Sequence, residues 1–273
     1  MRLSLDFVDR SFSLTNSKYR LSIQVSLSGF SFCVYDTDSQ KHVVVRSYSY
    51  TKNTEDYNLW HEELYDIAKQ MPALNSDTSV RCLYLTRKNV FVPDAVFDET
   101  RLKDYLSFSF ALEELDEIHR IRIPEISAYN CFAIPSMVVS EIKRRFRSAV
   151  FINQTCNVLQ LTKKKYYETK MNIMLCEYFT DITIFKNNMF VFNNTFETTN
   201  VKDILYFVSA LKDKFDARQI PIYVSGKISL SELKELKNYF PEIMQEHDKK
   251  TMMILGPDIS SKYYNMLRLH ECE

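Results

Sequence analysis

The sequence predicts an α/β (α+β) fold built from two related halves, each a mixed sheet of three antiparallel strands followed by a helix, a strand and a second helix. Three observations predict it. Leu21 to Tyr50, LSIQVSLSGFSFCVYDTDSQKHVVVRSYSY, alternates apolar with small polar residues, and Asp36-Thr37-Asp38-Ser39 supplies turn chemistry between its second and third segments. From Asn172, NIMLCEYFTDITIFKNNMFVFNNTFE repeats the pattern around Asn187-Asn188, a pair that tolerates the positive φ of a tight hairpin. After each triple strand the order helix, strand, helix returns, so Ile23 corresponds to Ile173, a helix at Asp56 to one at Asn200, and a strand at Val80 to one at Ile220. No linker rich in Pro, Gly or Ser separates the halves, read as 1–150 and 151–273.

The elements follow in order. Residues 1 to 19 mix polar and apolar types and suit an added edge strand. The helix from Asp56 repeats Tyr57, Trp60, Leu64, Ile67 and Met71 at spacings of three and four, with Glu62, Glu63 and Asp66 opposite, and Pro72 ends it. Val80 to Leu85 is a strand, whereas the segment on to Leu115 needs to bury Phe91, Val92, Val96 and Phe97 but has no clear period. It reads as a family-specific insertion with a short helix from Arg101. Glu117 to Ile123 and Ala128 to Ile134 read as strands, and Val138, Ile142 and Phe146 line one side of a helix after Pro135.

The second half is cleaner. Asn200 caps a helix whose Val201, Ile204, Leu205, Val208, Leu211 and Phe215 share a face. Ile220 to Val224 is a buried strand, Ser225-Gly226 turns the chain, and Ser229-Leu230-Ser231-Glu232 is a capping box for a helix buried through Leu233, Leu236 and Phe240. Pro241 closes it, and a last helix runs through Tyr263, Tyr264, Leu267 and Leu269.

Composition excludes several function classes. Lys plus Arg and Asp plus Glu are both 35, so no overall field recruits polyanions, and nucleic acid is disfavoured as a partner. Lys143, Arg144 and Arg147 with Lys163, Lys164 and Lys165 are the one basic cluster, and a solvated face accounts for it without stacking or glycine motifs. Arg2, Asp6 and Asp9 interrupt the segment a signal peptide would need, and no run approaches the ~18 apolar residues of a spanning helix, so the expectation is a cytoplasmic protein without membrane insertion. Six widely spaced cysteines (33, 82, 131, 156, 176, 272) read as reduced core thiols, and five histidines show no metal-ligand spacing. Glycine is the informative count. There are three, Gly29, Gly226 and Gly256, where an average composition of roughly 7% would give on the order of nineteen. Phosphate-binding loops need glycine because only a residue without Cβ lets several backbone amides approach a phosphate.

Three antiparallel strands followed by helix, strand and helix resemble a ribonuclease-H-like unit, and two in tandem resemble the actin-like ATPase fold. The chain resembles an uncharacterised bacterial family with that fold, and within the superfamily it resembles pilus and secretion assembly proteins. The resemblance implies an Asp near the end of the first strand of each half, for Mg²⁺ or its water, followed by a glycine-rich turn for the phosphates. Gln24 and Ser26 fall there in the first half, Cys176 and Tyr178 in the second. A neutral amide and a thiol cannot replace a hard-metal carboxylate, and a tyrosine fills the space a phosphate must enter. Asp181 comes too late along the chain, and Glu177 points away from Cys176 on a regular strand. The superfamily's strand with two terminal glycines, which contacts adenosine, is half retained in Ile222-Tyr223-Val224-Ser225-Gly226-Lys227, and a tight β-to-α turn explains that one glycine. Two-metal nuclease chemistry lacks its first-strand carboxylate for the same reason.

The expectation is therefore a protein with no catalytic, cofactor-binding or metal residue and no cofactor: a degenerate, pseudo-ATPase actin-like scaffold or interaction module whose partner is another protein of unknown identity. A homo-oligomer stays open. The alternative is a divergent ATP-binding or ATP-hydrolysing actin-like protein in which other residues replaced the usual set. Tyr (17) and Phe (19) are numerous enough for an exposed contact patch, but filling two sheet-helix cores accounts for them.

Overall fold

The computed structural model describes residues 2–13, 18–49, 78–162, 169–187, 189–216 and 220–272. The chain divides into two compact units, Met1–Cys156 and Asn157–Glu273. The helix expected from Asp56 to Pro72, the strand end at Tyr50, Asn188 and Lys163 to Lys165 lie outside the described residues.

In chain order the first unit holds β1 (Arg2–Val8), β2 (Tyr19–Ser26), β3 (Gly29–Asp36), β4 (Lys41–Ser49), β5 (Ser79–Tyr84), β6 (Asn89–Pro93), α1 (Leu102–Ser107), β7 (Asp116–Ile123), β8 (Ala128–Pro135), α2 (Ser136–Arg145) and β9 (Val150–Asn153). α3 (Gln154–Thr162) follows, and the division between the units falls within it. Six strands form one sheet in the order β1-β4-β3-β2-β5-β9, antiparallel from β1 to β2 and parallel from β2 to β9. Arg2–Val8 supplies the sixth as an added edge.

Alternation along the strands sorts their side chains by face. Leu21, Ile23 and Val25 of β2, Phe30, Phe32 and Val34 of β3, and Val80 and Cys82 of β5 pack with Val138, Val139, Ile142 and Phe146 in one buried cluster. Each large apolar side chain buried this way stabilises the fold by about 1.5–3 kcal/mol. The turn between β3 and β4 is held by Asp36, whose two carboxylate oxygens accept from the Asp38 amide at 3.0 Å and the Ser39 hydroxyl at 2.8 Å.

The segment without a clear period is an insertion between β5 and α2. β6, β8 and β7 form a separate antiparallel three-stranded sheet in that order, over which α1 and two 3₁₀ turns place Leu106 and Val92 in a small core and stack Phe97 on Tyr129 at 3.7 Å. Elements of three to six residues are too short to show a period, so their burial is settled by tertiary packing alone.

The second unit holds β10 (Lys170–Leu175), β11 (Phe179–Lys186), β12 (Met189–Glu197), α4 (Val201–Lys214), β13 (Ile222–Gly226), α5 (Leu230–Tyr239), β14 (Ile243–Gln245), α6 (Lys249–Leu255), α7 (Pro257–Lys262) and α8 (Tyr264–Leu267). Its sheet order, β12-β11-β10-β13-β14, is that of β4-β3-β2-β5-β9, with the same switch from antiparallel to parallel. Registers correspond as well. Ile23 pairs with Phe32 and Cys82, and Ile173 pairs with Ile182 and Val224.

Both helix caps form as expected. The Asn200 side chain accepts from the Lys202 and Asp203 amides while Asp203 accepts from the Asn200 amide, and Ser229 and Glu232 exchange the equivalent bonds. The strand expected at Ile220 starts two residues later because Pro221 has no N–H for the ladder, and its carbonyl instead accepts from the Met171 amide at 2.9 Å. Gly256, with φ of 83°, ends α6 and Pro257 starts α7; the single last helix expected after them is divided at Tyr263 into α7 and α8. Tyr263, Tyr264, Leu267 and Leu269 are all buried.

Candidate functional site

The strand ends singled out in the sequence lie at the tips of β2, β10 and β13. Gln24 sits in β2 opposite Ser31 on one side and Leu83 on the other. Ser22, Ser31 and Ser47 are buried, the Ser31 and Ser47 hydroxyls are 2.9 Å apart, and Arg81 lies opposite Ser22 on β5. Among the described residues Gln24 Oε1 is buried with no hydrogen-bond partner. β2 and β3 are joined by the two residues Leu27 and Ser28, closed by Ser26, whose hydroxyl lies 3.0 Å from that of Ser28 and 3.3 Å from the Gly29 carbonyl oxygen. The Ser28 amide donates to Ser26 Oγ at 3.3 Å, so this amide is satisfied within the turn. Gly29 has its own structural reason, since a Cβ there would stand 2.2 Å from the Tyr48 carbonyl oxygen.

β10 ends at Leu175, and Cys176, Glu177 and Tyr178 form the turn, so the strand alternation expected to set Glu177 opposite Cys176 does not extend that far. The Cys176 amide donates to the Phe179 carbonyl at 2.9 Å. Burial, with the Asp181 carboxylate adding to it, pushes the Cys176 thiol well above its ordinary range, which makes it a poor metal ligand and nucleophile. Tyr178 is 40% exposed at the turn. Asp181 lies on β11 opposite Met174 and Thr195, buried, where Asn193 Nδ2 donates to Oδ1 at 2.9 Å.

The tip of β13 explains its single glycine. Gly226 has φ of 96°, and a Cβ on it would meet the Leu175 carbonyl oxygen at 2.2 Å. The next amide, Lys227, donates to that same oxygen at 2.8 Å, and Lys227 Nζ reaches Glu177 Oε1 at 2.8 Å. The β10 and β13 turns are thus tied together by a backbone bond and an ion pair.

Two polar systems were missed in the sequence. In the second unit Asn157 Nδ2 donates to the Asn265 carbonyl and Oδ1 at 3.2 and 3.3 Å, Asn265 Nδ2 donates to Ser225 Oγ at 3.1 Å, and the Cys272 thiol donates to Asn157 Oδ1 at 3.2 Å. In the first, Asn153 Nδ2 donates to Asn130 Oδ1 at 2.7 Å, and Gln154 exchanges two hydrogen bonds with the Thr86 backbone. The signal was a lone amide inside an apolar run, as in TCNVL and YYNML, because a buried amide must find partners.

Of the basic cluster, Lys143, Arg144 and Arg147 are exposed; Arg144 pairs with Glu141 at 2.7 Å, and Lys143 lies 6.0 Å from the Phe151 ring centre. Cys33, Cys82, Cys131, Cys156 and Cys272 are buried free thiols, and Cys176 is a half-buried one. Among the described residues no three His, Cys, Asp or Glu side chains converge as a metal ion requires, and no helix is long and apolar enough to cross a membrane.

Two successive units whose main sheets share three antiparallel and two parallel strands in one order define the class: the protein has the actin-like ATPase fold. A Bacteroides thetaiotaomicron VPI-5482 protein of actin-like ATPase fold and unknown function is similar with a TM-score of 0.73 and 19% identity, over 96% of this chain and 99% of that one. A chain of the PilM–PilN type IV pilus biogenesis complex is similar with a TM-score of 0.58 and 8% identity, over 93% and 98%. The chain belongs to a family of proteins of unknown function, DUF3822, whose model matches residues 9–243. No curated protein sequence matches it.

Proposed function

We propose that this protein is a non-catalytic actin-like scaffold that has lost its nucleotide site and works in the cytoplasm by binding another protein. The observation that carries this reading is what occupies the strand tips. Gln24 and Ser26 stand where a carboxylate and a glycine would serve Mg²⁺ and phosphate, and Cys176 and Tyr178 stand there in the second unit. Their surroundings fit neither ligand. Ser26 folds back on its own hairpin, the Cys176 amide is bonded to Phe179, and the Glu177–Lys227 pair spans the β10 and β13 turns. Gly226 is accounted for by its contact with Leu175, so it gives no independent sign of an adenosine site. Similarity to a chain of the PilM–PilN complex supports a protein as the partner, and the free cysteines support a reducing compartment.

A ligand that binds only the folded state stabilises it by RT ln(1 + [L]/Kd), about 2.7 kcal/mol at a hundredfold excess over Kd. Melting curves with and without millimolar Mg-ATP therefore test the reading, and they should superimpose. A Mg-dependent rise in Tm would restore the nucleotide-binding alternative.

A further inference from the structure

The neutral total of the chain conceals two patches of opposite charge on the first unit. Residues 104–117 contain five carboxylates and no Lys or Arg, and they also carry Phe108 and Leu115, which are 93% and 70% exposed. Asp104 is matched by Arg101 at 3.2 Å, while Lys88 serves Asp116 at 2.7 Å and reaches Glu113 only at 4.0 Å. Glu117 lies 4.0 Å from His119, whose buried ring stays neutral at pH 7. Glu113, Glu114 and Glu117, all exposed, therefore leave an acidic surface around Leu115. Residues 143–150, KRRFRSAV, are the complement: four cations, no carboxylate, and Val150 52% exposed at the start of β9. Arg144 pairs with Glu141, whereas Lys143, Arg145 and Arg147 pair with no described carboxylate.

α2 holds the two patches apart. Its first residue, Ser136, donates its amide to the Leu115 carbonyl at 2.8 Å, whereas Lys143 to Arg145 form its last turn. A helix of this length spans about 15 Å, further than a glutamate and a lysine or arginine side chain reach towards each other. Glu113 and Glu114 are thus not neutralised by the basic patch of their own copy, and at that separation salt screens most of the attraction. Exposed apolar side chains beside one sign of charge on one surface, and beside the opposite sign on another, suit a heterologous contact in which two different surfaces of two copies meet.

We propose that this chain associates head to tail, the acidic patch around Leu115 of one copy seated on the basic patch around Val150 of the next. Each added copy leaves an acidic patch open at one end and a basic patch open at the other, so growth does not stop at two. Sedimentation equilibrium of the untagged full chain in about 50 mM NaCl should show the mass rising past two copies with concentration, and about 500 mM NaCl, where the screening length is roughly 4 Å, should reverse it. Glu113→Lys with Glu114→Lys, or Arg145→Glu with Arg147→Glu, should each weaken association by about tenfold without changing the melting of the dilute protein. An equal mixture of the two variants should regain it, because the reversed patch of each meets its complement on the other. A chain that stays monomeric at low salt overturns the proposal. So does a mass that stops at two copies, an association that neither pair of substitutions weakens, or a mixture that associates no better than its components.

Discussion

Gly226→Ala is predicted to destabilise the second unit by about 3–5 kcal/mol, through two separable costs. A side chain at φ of 96° carries a backbone strain of about 1–3 kcal/mol. The added Cβ would also stand 2.2 Å from the Leu175 carbonyl oxygen and 3.0 Å from the Leu175 carbon and nitrogen. Those are backbone atoms of β10, a strand paired on both sides, so they cannot retreat without loosening the Lys227 amide bond and the ladder with β13, each bond worth about 1 kcal/mol. Gly256→Ala isolates the first cost, because Gly256 also has positive φ, 83°, but open space around its Cβ position. Urea unfolding of both variants reads the difference. Gly226→Ala should lie at least ~1–2 kcal/mol below Gly256→Ala. Equal stability of the two would refute the packing explanation of Gly226 and leave a ligand as the reason for that glycine.

Other outcomes follow from the same geometry. His119 packs against Phe132 and Phe151, and burial, with Lys143 adding to it, lowers its pKa from 6.5 to about 4. The unfolded chain therefore takes up this proton first as pH falls, so stability should drop between pH 6.5 and 4, and His119→Phe should remove that part of the slope in urea midpoints. Asn265→Leu removes the donor to the Ser225 hydroxyl and the Oδ1 acceptor of Asn157 Nδ2, while the carbonyl of residue 265 still accepts from Asn157, and should cost about 1–3 kcal/mol in the same measurement; a neutral result would mean that the Asn157–Asn265–Ser225 side-chain bonds are dispensable. Gln24→Asp places a carboxylate at a partly buried strand position where, among the described residues, the Gln24 Oε1 has no donor, and the lost solvation raises the pKa of the new group in the folded state. Stability of that variant should fall as pH rises above the ordinary carboxylate range, the sign opposite to that for His119, and Mg-ATP should not rescue it because Cys176 and Tyr178 remain in the second unit.

Periodicity and capping made most of the main sheets legible. The alternation around Ile23 and Ile173, the caps at Asn200 and Ser229, and the stripe through Val138, Ile142 and Phe146 each encode their structure locally, and each forms. β9 and β14 were not legible, because strands of four and three residues contain too few alternations, and Pro241 masks the approach to β14. The inserted sheet was half legible. β7 and β8 alternate, while β6 and α1 are fixed by tertiary contacts such as Phe97 on Tyr129. At the candidate site the residue types at positions 24, 26, 176 and 178 were readable, but the way Lys227 bridges to Glu177 depends on two turns fifty residues apart meeting. No local pattern carries that.

The most direct test of the proposed loss of the nucleotide site is an equilibrium calorimetric titration of the unmodified protein with ATP in the presence and absence of Mg²⁺. Gln24 and Cys176 in place of carboxylates predict no saturable heat up to millimolar ligand in either condition. Stoichiometric binding that appears with Mg²⁺ and vanishes without it would contradict the account.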